Sequence, residues 1–127
     1  MGGATPRRFV IVVAVVAAAA CEGPTPELFV DLQTDLRPAV EFDTARTVLR
    51  RGGLVGAPLE SAERTLAPGA DTRRGVRLSE FAGLAPGAWL ASVTLLRAGV
   101  EVGSGMVLVD LREGSRVVTV RVTRECG

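Results

Sequence analysis

Two thiols and one run of carboxylates are the residues with chemistry to offer in this 127-residue chain. Cys21 and Cys126 are its only cysteines, and Asp31, Asp35, Glu41 and Asp43 fall within thirteen positions of one another. A thiol can be acylated, oxidised to a disulfide or activated as a nucleophile. Activation by a neighbouring imidazole does not arise, because the chain has no histidine. The same absence excludes Ser-His-Asp and Cys-His arrangements and any His-rich metal site. The four acids could converge on Ca²⁺, but their spacing fits no calcium-loop pattern. Solvated surface carboxylates, pairing with Arg37 and Arg46, are the simpler expectation, and no metal or cofactor is assigned. Gly52, Gly53, Gly56, Gly103 and Gly105 form no phosphate loop, since none opens a helix carrying a lysine. An enzyme is therefore not expected.

All 15 basic residues are arginine, and Asn and Tyr are absent beside His. Such a bias fits a GC-rich bacterial genome and lowers the weight of any single arginine as a chosen anion ligand. Without residues 1–20 the balance is 13 arginines to 14 acids. The charges are interspersed, which argues against nucleic acid as a partner.

The setting of Cys21 is distinctive. Arg7 and Arg8 precede the apolar run Phe9 to Ala20 (FVIVVAVVAAAA), which ends in small residues before Cys21-Glu22-Gly23-Pro24. This is the layout of a secretory signal peptide over residues 1–20, and a twelve-residue run is short of the ~20 that cross a bilayer. Arg7-Arg8-Phe9 resembles a twin-arginine signal, but Phe9 follows the second arginine directly, so general export is expected. Ala18-Ala19-Ala20-Cys21 resembles the lipobox of bacterial lipoproteins, with Ala18 in place of the usual Leu. The resemblance implies that Cys21 becomes the acylated N-terminus, with residues 21–27 as a proline-stiffened tether to a membrane. At ~0.8 kcal/mol per buried CH₂, two or three acyl chains hold where one would release. Cleavage after Ala20 by the general peptidase, with a Cys21–Cys126 disulfide, is the alternative. It would give a secreted carrier or ligand-binding domain.

The elements that must position these residues are strands. Beyond Glu27 the hydrophobic period is two, with Pro and Gly at short intervals. Strands are predicted over residues 28–34, 42–49, 59–66, 76–81, 88–97, 100–111 and 116–124, within one domain spanning 28–126. Helix formers in LESAERTLAPG, with Leu59 and Leu66 seven apart, make a short helix the competitor there. Ala98-Gly99 and Glu113-Gly114 are predicted hairpin turns, which would make the last three strands an antiparallel meander. Gly103-Ser104-Gly105 suggests a bulge or a split strand. Trp89, Ala91, Val93 and Leu95 alternate toward the core, as do Val118, Val120 and Val122. The opposite face of the fifth strand, Leu90, Ser92, Thr94 and Leu96, is unusually apolar and calls for a cover.

The fold class expected is all-β, a sandwich of about seven antiparallel strands. The stretch VRLSEFAGLAPGAWLASVTLL resembles the strand corner of fibronectin type III and other immunoglobulin-like sandwiches. Leu84, Pro86 and Gly87 match, and Trp89 stands at the position of the corner tyrosine, so its indole N–H needs a backbone partner of its own. Carboxypeptidase-regulatory-like and transthyretin-like sandwiches share the pattern. With its leader, the "LAPGAW" centre and the "VTVRVTREC" close, the chain is similar to envelope lipoproteins of high-GC bacteria such as myxobacteria. Those continue past the final cysteine into further modules. The resemblance implies a non-catalytic structural or interaction module on the cell envelope, facing periplasm or exterior, with the outer membrane favoured and an envelope protein as possible partner.

Overall fold

A computed structural model describes residues 25–52, 58–112 and 114–124. The expected signal peptide over residues 1–20, with Ala18, Ala19 and Ala20, and both Cys21 and Cys126 lie outside the described residues. Among the described residues seven strands form: β1 (Glu27–Thr34), β2 (Thr44–Arg51), β3 (Pro58–Thr65), β4 (Val76–Phe81), β5 (Gly87–Arg97), β6 (Val100–Leu111) and β7 (Ser115–Val122). They make a three-stranded sheet, ordered β4-β1-β7, and a four-stranded sheet, ordered β3-β2-β5-β6. The chain is thus the all-β sandwich that the alternation predicts.

Between the sheets lies a mainly apolar core. β1 buries every second residue, Leu28, Val30 and Leu32, and β5 does the same with Trp89, Ala91, Val93 and Leu95. Val120 and Val122 fill the core from β7, while Val117 and Thr119 face outward. Within β2 the inward position between Ala45 and Leu49 is Thr47, and its hydroxyl oxygen accepts from Ser79 Oγ of β4 at 3.2 Å. That bond satisfies two buried hydroxyls across the sandwich.

The LESAERTL segment is strand rather than helix. Residues 58–65 pair with β2 from Thr44↔Thr65 to Arg50↔Pro58, so β2 gains a ladder on its second edge. A helix would set Leu59 and Leu66 on one buried face; instead Leu66 is buried and Leu59 is 56% exposed. Ala98-Gly99 does form the tight turn between β5 and β6, with φ of 50° and 83° at its two residues.

The expected antiparallel meander of the last three strands is corrected. β5 and β6 pair antiparallel, but β7 leaves that sheet, crosses over and pairs in parallel with β1, from Glu27↔Ser115 to Thr34↔Val122. The reason lies in β6. A Cβ on Gly105 would come within 2.4 Å of the Arg121 carbonyl oxygen, and one on Gly103 within 2.9 Å of Val122 Cγ1. β7 therefore runs over the inner face of β6 at a distance that only glycine allows. Gly103-Ser104-Gly105 themselves pair in unbroken register with Leu95, Thr94 and Val93, and the ladder slips one residue earlier, at Val102, between Leu95 and Leu96 of β5, so the irregularity lies beside the glycines and not at them.

The parallel pair gives the sandwich a direction. The described chain enters β1 at one end, where Glu27 N–H donates to the Gly114 carbonyl and Leu84 N–H to that of Pro26. It leaves β7 at the other end, about 23 Å away at ~3.3 Å per residue. The loops 35–43 and 66–75 and the Ala98-Gly99 turn share that far end.

Candidate functional site

At the entry end, the four corner residues form one unit. Leu84 and Trp89 are buried, and Trp89 Nε1–H donates to the Ala85 carbonyl at 2.9 Å. The indole thereby makes a bond back to the backbone four residues upstream, the partner it needs in place of a tyrosine hydroxyl. Arg51, opposite Trp89 on β2, donates through Nη2 to the Pro86 carbonyl at 2.7 Å, and its guanidinium lies 5.3 Å from the indole centroid. Gly87 has φ of 131°, and a Cβ there would meet Arg51 Nη2 at 2.9 Å. The corner is a packed joint with no reactive group.

The four acids do not assemble into a cation site. Asp31 faces outward on β1 and pairs with Arg77 of β4 at 2.5 Å. Asp35 and Glu41 share Arg124. Asp35 Oδ1 accepts the Arg124 N–H at 3.1 Å, and both Glu41 oxygens accept from its guanidinium. Asp43 accepts from Thr44 Oγ1 at 2.8 Å and from the Ala98 N–H at 2.9 Å. Among the described residues, no three Cys, His, Asp or Glu side chains are grouped to hold a metal. The expected pairing with Arg37 and Arg46 is also corrected. Arg46 pairs with Glu63 at 2.8 Å, and Arg37 supplies its backbone N–H to Glu41.

These contacts set the proton affinities. The bond from Arg124 holds Glu41 below the ordinary carboxylate range, against a smaller opposing cost of burial. The Ala98 amide, then the Thr44 hydroxyl, lowers Asp43 in the same way. Arg124 is raised chiefly by its bond to Glu41. Glu41 and Asp43 are thus held charged and engaged.

Two clefts open at that far end, one on each side of Asp35. The first, about 240 Å³, is lined by Gln33, Thr34, Asp35, Arg73, Arg121 and Thr123. In the second, about 300 Å³, Arg37 and Arg73 are matched by Asp35 and Asp71. The parallel register places Gln33 directly beside Arg121. Arg121 Nε donates to Gln33 Oε1 at 2.9 Å, and Gln33 Nε2 donates to the Arg73 carbonyl at 2.9 Å. The neighbouring loop is held by a backbone bond from Thr34 N–H to the Thr72 carbonyl at 2.8 Å.

Gln33, Arg73 and Arg121 were not marked out by the sequence pattern. They come from three distant segments, and in a chain whose bases are all arginine two more arginines carry no signal. The register of β1 on β7 is what joins them. No protein-family model, curated protein or solved structure matches this chain, so the chemistry of its clefts stands on the residues themselves.

Proposed function

We propose that this chain is a lipid-anchored lipoprotein of the bacterial cell envelope whose β-sandwich is a non-catalytic interaction module. The observation that carries the reading is the direction of the fold: the described chain enters β1 at one end, beside a cleft lined by Pro86, Gly87, Asp110, Leu111 and Arg112, and the two clefts that share Asp35 and Arg73 open at the other. An anchor at Cys21 would leave the loops 35–43 and 66–75 pointing away from the membrane, where a partner in the envelope can reach them. The acids of those loops are tied to Arg124, to Arg74 and to backbone amides, which suits recognition by shape and charge better than proton transfer.

The same direction bears on the secreted, disulfide-closed alternative. A Cys21–Cys126 bridge would have to return the chain along the length of β1, since entry and exit lie at opposite ends of a parallel pair. Growth of an expressing bacterium with a labelled fatty acid tests the anchor. The wild-type chain is expected to take up label and Cys21→Ala to lose it; an unlabelled wild-type chain in the medium contradicts the reading.

A further inference from the structure

We propose that the cleft between Gln33, Arg73 and Arg121 binds an oxyanion, a carboxylate or phosphate group presented by a ligand or partner; this deepens the interaction-module reading without requiring the anchor. Two arginines line this cleft with one acid, Asp35. That carboxylate already accepts the Arg124 N–H. The other acids of this end are engaged elsewhere, Glu41 with Arg124, Asp43 with Ala98 and Thr44, and Asp71 with Arg74. None of them pairs with Arg73 or Arg121 among the described residues. The adjoining cleft has two arginines and two acids, which marks the first as the cationic one.

Gln33 orders the cationic pair. Its amide accepts from Arg121 Nε and donates to the Arg73 carbonyl, both at 2.9 Å, so one side chain fixes Arg121 and the backbone that carries Arg73. With Nε bound to Gln33, the two Nη groups of Arg121 keep their donors for a ligand, and a guanidinium matches a carboxylate or phosphate with two parallel N–H bonds. Both arginines sit on a rigid base, since Arg121 belongs to β7 and Thr34 N–H ties the 66–75 loop to the end of β1. The backbone of both arginines and the Arg121 Nε are thus set before binding, and the Arg73 side chain is what remains to be ordered.

The test is a titration of the full chain in detergent micelles, followed by ¹H–¹⁵N spectra that include the arginine Nε resonances. Citrate, inorganic phosphate and acetyl-tetraglutamate are added in separate runs. Saturable shifts at Gln33, Arg73 and Arg121 are expected. Arg121→Gln and Gln33→Glu should each weaken binding about tenfold or more. Gln33→Glu keeps the acceptor for Arg121 Nε, gives up the donor to the Arg73 carbonyl and places a carboxylate between the cations, with its thermal midpoint reporting that the chain folds; Arg121→Gln leaves the Gln33–Arg73 bond in place and tests the charge alone. Tightest binding of tetraglutamate would identify an acidic peptide as the source of the oxyanion, and tightest binding of phosphate a phosphate group. Shifts spread evenly over exposed arginines such as Arg64 and Arg112, or equal binding by the variants, would overturn the proposal. A Cys21→Ala chain should titrate like wild type, so failure of the anchor and failure of the cleft are read separately.

Discussion

Gly105 sits where β6 and β7 come closest, with the Arg121 carbonyl 2.4 Å from the position a Cβ would take. The obstacle is backbone, which cannot rotate away as a side-chain tip can. Gly105→Ala should therefore destabilise the sandwich by about 1–3 kcal/mol, the usual cost of overpacking, measured by urea unfolding. Ala98 has the opposite problem, a non-glycine residue at φ of 50° held by the bond from its N–H to Asp43. Asn tolerates that conformation, and the chain contains none. Ala98→Asn should stabilise by about 0.5–1 kcal/mol. The carboxylates at this end predict a pH dependence. Glu41 and Asp43 have folded-state values below their ordinary 4.5 and 3.8, so their contribution is present above those values and lost as pH falls through the lowered ones. Glu41→Gln should flatten the acid side of the stability profile while leaving its value near pH 7 less changed than Arg124→Ala does.

At the scale of elements, the corner before β5 makes a sharper test than any single contact. Trp89→Phe removes the indole N–H and leaves the Ala85 carbonyl without that donor, an expected loss of about 1–3 kcal/mol. Trp89→Tyr should lose less, because a hydroxyl at this position can donate to the same stretch of backbone. Equal losses in the two variants would mean that packing, and not the bond, holds the corner. Strand positions were largely legible in the sequence because a sandwich buries alternate residues, and Leu28, Val30 and Leu32 or Trp89, Ala91, Val93 and Leu95 announce that directly. The sheet to which β7 belongs was not legible. Val118, Val120 and Val122 reveal a buried face but not the neighbour beside it, and either sheet would satisfy the alternation. Gly103 and Gly105 carried the missing information: their pattern suggests a bulge or a split strand, whereas what they make room for is the strand that crosses them.

For the whole molecule, the parallel pairing of β1 and β7 is the feature with the widest consequence. It puts entry and exit of the described chain at opposite ends, gathers Gln33, Arg73 and Arg121 around one cleft, and brings Arg124 to Asp35 and Glu41 from 89 and 83 residues away. Contacts at such separations leave no trace in spacing, so the acids were readable as a cluster but their arginine partners were not. The apolar second face of β5 is explained in part by its own sheet. Leu90 and Leu96 are buried, with Leu90 set between Arg50 and Leu108 and Leu96 between Thr44 and Glu101. Ser92 Oγ on that face is buried with no hydrogen-bond partner among the described residues. Ser92→Ala should accordingly be neutral or slightly stabilising, checked by the same urea titration.

The central claim, an anchored module presenting its far end, is tested most directly by the mass of the N-terminal peptide of the mature protein extracted from membranes. A peptide that begins at Cys21 and carries the added mass of acyl chains is expected, with Cys126 recovered on a separate peptide. A peptide that begins at an unmodified Cys21, or one joined to Cys126 through a disulfide, would contradict it.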